Sequence, residues 1–531
     1  MTKSIYIINP ASDFPNYYTS EVHTAYGLPP AAAMGDLAIT TVAAMVPEDF
    51  DLQLCDESVE AVDFECDADV VAITGKTSQW GRARAIAEEF RRQGKTVIIG
   101  GPFASLCPEA VAPYADVLVC GEIEEIAEEI FSDLRRGHPK ERYTGTRPEL
   151  SLSPIPRWDL YPNRATFSGS VQTSRGCPFE CEYCDVIAYL GRSQRHKPVE
   201  NVLRELDLLY QLGYRSVFLA DDNLTAYRGR AKELLRALHK WNLQQRAGKM
   251  TFGTQVSIDA ANDPEMLELL ARAGVAAVFI GIETPNEESL REAKKRQNVG
   301  IDLVEKIHQF YERGIIVQAG MIVGFDSDGP DIFGRQYEFS TRAAAPITTL
   351  GALVAPPATP LYARMKREDR LTDNDSGVIG TPWLTNFTPH RMTSEQFSKG
   401  IRWLANKLYS PAAFGDRVVR FIDRLSPNRN LPSTLSLTQI TRHLGRRADR
   451  HAFRVAMSVA GLGFQEALMT GRIFKALARK PSAAGLVMPA LYRYRQIRYM
   501  YEKGHFWDGT RSLPSRLELR SSEPSFVRAE H

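Results

Sequence analysis

The chain has 531 residues, 44% hydrophobic and 24% charged, with a formal net charge of +1. That length holds two to four domains with real cores, and the composition excludes a disordered or fibrous chain. No run of about 18 apolar residues occurs and the first residues lead straight into a strand-like segment, so neither a membrane-spanning helix nor a secretory leader is expected and the location expected is cytoplasmic.

Residues 1–140 alternate short apolar runs with helix-period segments. The β-branched runs at 5–9, 70–75, 96–101 and 117–121, three of them ending in glycine, are separated by stretches such as 82–93. This is the pattern of parallel strands with crossover helices, and it predicts a doubly wound, Rossmann-like α/β domain. Ligands of such sheets bind at the carboxyl ends of the strands, where glycine lets the backbone approach closely. Thr74, Gly75, Gly100, Gly101 and Gly121 fall at those ends. With the proline-rich segment at 27–30 and the Gly-Gly-Pro-Phe-Ala turn at 100–104, the arrangement resembles the cobalamin-binding domain that precedes many radical S-adenosylmethionine enzymes. The resemblance implies a cobalamin at those five residues. The Asp-x-His-x-x-Gly motif that supplies an axial histidine to cobalt in other cobalamin proteins is missing, and His23 stands in no such context. Two readings stay open: cobalamin bound without a protein histidine, or the fold kept with an empty pocket.

Residues 141–166 carry Pro148, Pro154, Pro156 and Pro162, which disfavour helix and central strand. The segment reads as a linker, with 158–160 docking on the next domain. Of seven cysteines, Cys55, Cys66, Cys107 and Cys120 are scattered singly among apolar neighbours and are expected in the core. An odd, scattered set is not a disulfide framework.

The other three, Cys177, Cys181 and Cys184, lie within eight residues. Thiolates so spaced can ligate three irons of one 4Fe-4S cube and leave the fourth iron open. The competing reading, a structural zinc site, needs four ligands, and the nearest histidine, His196, is twelve residues on and unpaired. The Cys-x3-Cys-x2-Cys spacing, Tyr183 before the third cysteine and the strand-like run at 167–173 resemble the radical S-adenosylmethionine superfamily, over residues 160–360. The resemblance implies a 4Fe-4S cluster on the three cysteines, S-adenosylmethionine on the open iron, its reductive cleavage to a 5'-deoxyadenosyl radical, Tyr183 near the adenine, and an electron donor such as flavodoxin or ferredoxin.

Apolar runs at 216–220, 252–256, 277–282, 319–324 and 351–354 follow, each spaced for a helix before the next. With the strand before Cys177 they predict a partial (β/α)6 barrel over 167–360, whose active residues stand at the C-terminal strand ends. Those ends carry Asp221 and Asp222, then Gln255 and Ser257, then Glu283, then Gly320 and Gly324. By the resemblance the acids after the second strand meet the methionyl amino group, Gln255, Ser257 and Glu283 meet ribose and carboxylate, and the two glycines lie against adenine. Read singly, each is equally a capping or packing residue. Arg192, Arg195 and Lys197 are placed to neutralise the cluster or the cofactor's carboxylate, or form a solvated basic loop.

Residues 361–531 read as mainly helical. Thr393, Ser394, Glu395 and Gln396 form a capping box that opens a helix to about residue 409. From 401 onward there are 23 Lys+Arg against 9 Asp+Glu, a net of +14 against −13 for residues 1–400. Arg442, Arg446, Arg447, Arg450 and Arg454 recur near helical spacing among apolar residues, a pattern that suits anionic lipid headgroups and equally a helical cap with a basic face. No helix-turn-helix pattern or interleaved aromatics point to nucleic acid. The segment to about 425 resembles the C-terminal region of the cobalamin-dependent subgroup that includes hopanoid C-2 methylases. Together the resemblances imply a cobalamin-dependent radical methyltransferase acting on an unactivated carbon of a small or lipid-like substrate, working in the cytoplasm or on the inner membrane face. A radical cyclase or oxidase is the sister outcome, and a non-catalytic corrinoid sensor is the reading from another class.

Overall fold

A computed structural model describes residues 3–372, 381–426 and 447–508. In its first part the strands are Lys3–Asn9 (β1), Ala32–Met34 (β2), Phe50–Asp56 (β3), Val70–Thr74 (β4), Thr96–Gly100 (β5), Val117–Cys120 (β6) and Arg142–Thr144 (β7). Then come Thr166–Val171 (β8), Ser174–Arg175 (β9), Arg195–His196 (β10), Ser216–Leu219 (β11), Thr251–Gln255 (β12), Val275–Glu283 (β13), Ile316–Val323 (β14) and Ile347–Ala352 (β15).

The first sheet is parallel with order β3-β1-β4-β5-β6-β7. Its central strands are apolar on both faces because helices cover both. Tyr6, Ile8, Val71, Ile73, Val97 and Ile99 pack under Trp80–Arg92 through Trp80, Ile86 and Phe90. Ile5, Ile7, Val70 and Ile98 face the other way, toward Ile130, Phe131 and Leu134 of Ala127–Arg136, and this second core is continuous with that of the following sheet. β3 has no apolar run: Asp51 and Gln53 are exposed while Phe50 is buried and Leu52 and Leu54 are half-buried, the period-two pattern of an edge strand. β7 lies inside the segment expected to be a linker and closes the opposite edge. Trp158 is fully buried, edge-on to Tyr161 and Tyr214, and so docks on the second sheet's core. Cys55 and Cys66 are core residues as expected, whereas Cys107 and Cys120 are only half-buried.

The second sheet is also parallel, in the order β15-β14-β13-β12-β11-β8-β2. The six barrel strands β8 and β11 to β15 are those expected, and β2, a strand of Ala-Ala-Met from the first domain, adds a seventh beside β8. Three residues without β-branching carry no periodic signal, and the pairing is made by tertiary proximity. Along β13 the residues facing the helices, Val278, Ile280 and Ile282, are fully buried, while Ala277, Phe279 and Gly281 between them are half-buried. The sheet therefore curls round an accessible interior rather than a packed core.

A partial barrel leaves an open edge at β15, and unpaired strand edges must be covered. Here tyrosine hydroxyls replace the missing strand. Tyr409 Oη accepts from Thr348 N (3.1 Å) and donates to Thr348 O (2.6 Å). Tyr17 Oη does the same at Leu350, at 3.2 and 2.9 Å, and the Ala352 N–H donates to Pro382 O at 2.7 Å. Helix Ala484–Lys503 lies over this gap, with Tyr501 Oη 2.9 Å from Tyr17 Oη. Thr393 and Gln396 form the expected capping box at the start of Ser394–Leu408. Arg442 and Arg446 lie outside the described residues.

Candidate functional site

The loop that carries the three cysteines leaves β8 at its C-terminal end and is held from below by β11. Asp221 is 1% exposed, and its carboxylate accepts from Thr173 N (2.8 Å), Thr173 Oγ1 (2.6 Å) and Ser174 N (2.5 Å). Asp222 Oδ2 accepts from Gly176 N at 3.0 Å. Burial pushes Asp222 up to about 6. Both acids thus clamp the residues just before Cys177. Asp221's oxygens are committed to the protein's own chain. Gly176 has φ +93°, and a Cβ there would lie 2.6 Å from Ser193 O, so only glycine turns the chain at this point. Beyond it, Cys177 N donates to Gly191 O (3.2 Å), Cys184 N to Cys181 O (3.1 Å) and Glu182 N to Ala293 O (3.1 Å).

Cys181 is buried, and Cys177 and Cys184 are half-buried. Burial drives the Cys184 thiol up to about 12 and raises Cys177, and the neighbouring thiols add to both shifts, so the three lie within one another's field. Thiols in such a place ionise only beside a positive charge, which iron ions supply. Among the described residues no three His, Cys, Asp or Glu side chains are already gathered as a metal site, so the three thiols are neighbours rather than a preformed ligand set. The donor set fits a cluster in which each thiolate serves its own iron.

Glu283 and Lys295 face these cysteines. Lys295 Nζ donates to Glu283 Oε1 at 2.8 Å, with the carboxylate side chain 7% exposed. Burial pulls the Lys295 ammonium down, but Glu283 and the thiols Cys181 and Cys184 outweigh it, so the residue stays charged. Glu283 sits at a register shift in β13 with φ +65°, a left-handed conformation rare outside glycine that turns its side chain toward the cysteine loop. Tyr183 packs edge-on to Phe325 (6.1 Å). Burial and the adjacent Glu283 carboxylate raise its phenol well above the ordinary value; the hydroxyl lies beside that carboxylate but meets no hydrogen-bond partner among the described residues. A buried hydroxyl without a partner at the mouth of the barrel suits a polar ligand. Lys295 had no signal in the sequence, because it follows β13 by twelve residues and reaches back only through the intervening turn of helix.

At the remaining strand ends, Ser257 Oγ accepts from Asn223 Nδ2 (2.5 Å) and Gln255 O accepts from Leu224 N (2.9 Å), which ties the loops after β11 and β12 together. A Cβ at Gly320 would lie 2.6 Å from Phe279 Cζ, and one at Gly324, whose φ is +110°, 2.9 Å from Phe397 Cε2. The space freed by both glycines is occupied by the protein's own rings. Arg195 and Lys197 do not neutralise the cysteine loop: Arg195 pairs with Glu122, and Lys197 with the fully buried Glu205 at 2.5 Å. Arg192 pairs with Glu180 on the surface.

The first sheet meets this loop through its own carboxyl edge. Arg175, two residues before Cys177, pairs with Glu122 (2.5 Å) and Glu124 (2.7 Å), and Arg195 Nη2 reaches Glu122 Oε1 at 2.5 Å, with all four side chains at or below 13% exposure. Burial alone would raise Glu124, but Arg175 outweighs it and holds the carboxyl below its usual range. Glu122 directly follows Gly121, so the candidate cobalamin edge is fastened to the cysteine loop. Pro102–Leu106, starting at Gly101, packs against Val186–Tyr189, the turn just after Cys184. At Gly75 and Gly100 a Cβ would make only ordinary contacts, 3.8 Å to Ala83 Cβ and 3.5 Å to Val119, and the two leave the edge bare, as an approaching corrin needs. Gly101 and Gly121, at φ +92° and +80°, are required by the close approach of Thr74 and Gly145. His23 is elsewhere, fully buried among the rings of Phe167, His451 and Tyr492.

Residues 171–332 match the model of the radical SAM superfamily, residues 25–131 that of the B12 binding domain, and residues 359–462 a domain of unknown function. The chain is 38% identical over 391 residues to an uncharacterized methyltransferase of Synechocystis, covering 72% of each chain. It is 32% identical over 364 residues to the hopanoid C-2 methylase of Rhodopseudomonas palustris, covering 67% of this chain and 68% of that one. The solved structure of the radical S-adenosylmethionine methyltransferase TsrM from Kitasatospora setae, with cobalamin and a [4Fe-4S] cluster bound, shares the fold at 17% identity and a TM-score of 0.55, covering 91% of this chain and all of that one.

Proposed function

The chain belongs to the radical S-adenosylmethionine enzymes that carry a B12-binding domain, and from that membership we propose that it methylates an unactivated carbon of a small or lipid-like molecule. It is a methyltransferase of that family, whose cofactors are a 4Fe-4S cluster, S-adenosylmethionine and cobalamin. Bound together, these groups would relay the electron of a reductant and supply the hydrogen-abstracting radical and the methyl group. The observation that carries the proposal is the Glu122/Glu124 to Arg175/Arg195 fastening, which sets the glycine edge of one sheet against the cysteine loop of the other.

In this reading Cys177, Cys181 and Cys184 hold the cluster, and Asp221 and Asp222 position their loop without touching the reacting atoms. Glu283, Lys295 and Tyr183 line the side of the mouth where a zwitterionic amino acid group binds. Lys295 offers a cation to a carboxylate, and Glu283 offers an acceptor to an ammonium or a ribose hydroxyl. Thr74, Gly75, Gly100, Gly101 and Gly121 present backbone to the corrin. A lipid-like acceptor agrees with the hopanoid named for one relative. A flavodoxin- or ferredoxin-like donor supplies the electron.

No helix is long and apolar enough to cross a membrane among the described residues. We place the protein in the cytoplasm, docked peripherally on anionic lipid. Phe453 and Met457 on Arg447–Ser458, and Phe464 and Leu468 on Phe464–Arg479, are exposed, Phe464 by 75%. Arg450, Arg454, Arg472 and Lys475 are exposed on the same helices. Apolar and basic residues on one surface suit headgroups.

The test of the reaction is transfer of labelled methyl from S-adenosylmethionine to a candidate lipid by the reconstituted enzyme. Label in the product at a carbon is expected; a consumed acceptor without label would instead indicate a radical cyclase or oxidase.

A further inference from the structure

Helix Ala484–Lys503 covers the open edge of the barrel and carries the half-buried Arg493 against Tyr17 and Tyr18. Arg493 Nη1 donates to Tyr17 O at 2.5 Å, and its Cζ lies 5.8 Å from the centre of the Tyr18 ring. Tyr18 stands edge-on to Phe279 of β13 (6.2 Å, 76°), with its hydroxyl beside the Thr349 side chain of β15. Register puts Gly320 opposite Thr349 and Gln318 opposite Phe279, so these are inward positions of neighbouring strands. Tyr18 keeps 37% of its surface accessible although two barrel strands hold it.

Among the described residues no carboxylate pairs with this guanidinium. The two other arginines of the helix are matched, Arg495 by Glu502 at 3.3 Å and Arg498 by Glu466 at 2.9 Å, but among the described residues Arg493 is in no ion pair. Glu21, whose field reaches it, is held by Gln496 Nε2 at 2.9 Å. Arg493 is half-buried, and burial pulls its guanidinium below the ordinary value. A partly desolvated cation without an anion is costly, and arginine is the side chain best shaped to take a carboxylate or phosphate by two parallel bonds. The walls beside it are aromatic: Tyr18, and Phe279 lying over the bare backbone of Gly320.

We propose that Arg493 binds an oxyanion, carboxylate or phosphate, at one end of the methyl acceptor, whose apolar body lies against Tyr18 and Phe279. The inference rests on the reading that the barrel interior receives that acceptor. Phe279 stands four residues before Glu283 on β13, roughly 13 Å along the strand. An acceptor anchored at Arg493 therefore extends up the barrel toward the cysteine loop and presents a carbon remote from its anionic end.

The experiment is calorimetric titration of the full-length protein, at fixed ionic strength and below micelle formation, with dodecanoate, dodecyl phosphate and dodecanol. One anion should saturate a single site at least about tenfold more tightly than the alcohol, and which anion does so distinguishes carboxylate from phosphate. Arg493→Gln should bring that anion to the level of dodecanol, while Arg493→Lys, which keeps the charge and loses the fork, should fall between. Equal binding of all three probes by the unmutated protein overturns the proposal without any variant having to fold. Anion binding unchanged in a folded Arg493→Gln overturns it too, and assigns that binding to the exposed basic helices. Because binding is read without methyl transfer, a failed methyl assay with intact Arg493-dependent binding rejects the reaction and keeps the subsite, whereas the reverse pattern rejects the subsite alone.

Discussion

Cys177, Cys181 and Cys184 differ from the other four cysteines in having one another as neighbours and a backbone held by Gly176, Gly191 and Ala293. Replacing any of the three by alanine should leave two protein ligands, remove the visible absorption of the reconstituted protein and stop formation of 5'-deoxyadenosine; Cys66→Ala should do neither. A reconstituted Cys181→Ala that still holds four irons would reject the assignment. His23 makes a prediction of another kind. Burial pushes its imidazole down to about 4, with His451 adding to the shift, while the unfolded chain titrates near 6.5. The folded state then binds fewer protons below that value, so the stability His23 contributes is present above about pH 6.5 and lost as pH falls toward 4. Between pH 7.5 and 5 the loss is about 2 kcal/mol. Urea unfolding at both pH values should show His23→Gln losing less than the parent; equal losses would mean the histidine is not buried neutral.

The edge strand β15 is an element completed by residues far from it. Tyr17 and Tyr409 each supply a hydroxyl that accepts one backbone N–H and donates to the carbonyl of the same residue. Tyr409→Phe keeps the ring and leaves both Thr348 groups unsatisfied in a buried place, which costs about 1–3 kcal/mol. The urea midpoint should fall accordingly, and hydrogen exchange at Thr348 should quicken; a midpoint unchanged to within about 0.5 kcal/mol would mean that the edge is covered by other groups. Strands were legible wherever both faces are buried, because a run of β-branched residues such as Thr96–Gly100 needs no partner to be recognised. β3 escaped that reading for the opposite reason: at the sheet edge it alternates, and Phe50, Leu52 and Leu54 carry only a period-two signal.

Across the whole molecule the two sheets are joined by a buried ionic group, with Glu122 shared between Arg175 and Arg195. Removing one partner of such a group leaves a charge without compensation, so Glu122→Gln should cost about 3 kcal/mol. A double-mutant cycle with Arg195→Gln should show coupling of about 1–3 kcal/mol, and additive losses would mean the two side chains do not hold the sheets together. The basic, apolar surface of Arg447–Ser458 and Phe464–Arg479 predicts flotation with anionic vesicles at low salt and release at high salt. Phe464→Ser with Leu468→Ser should weaken flotation without changing the unfolding midpoint. Absence from anionic vesicles at low salt would leave these helices as a plain cap.

Residue order alone suffices for the parts whose information is local. Three cysteines within eight residues are neighbours in any fold, a continuous apolar run ending in glycine is a buried parallel strand with a bare carboxyl end, and Thr393 to Gln396 caps a helix through bonds within one turn. How the polar strand ends are used depends on long-range packing. Asp221 reads as a free acid after a strand, and only the return of β8 beside β11 turns it inward onto Thr173 and Ser174. Arg195 reads as a cation for the cysteine loop until the first sheet brings Glu122 to it, 73 residues away in the chain. Arg493 and Tyr17, 476 residues apart, meet only because a curled sheet leaves an edge that a late helix must cover. Periodicity reports the face a residue buries; which charge it meets there depends on the partner that arrives, and no local pattern encodes that.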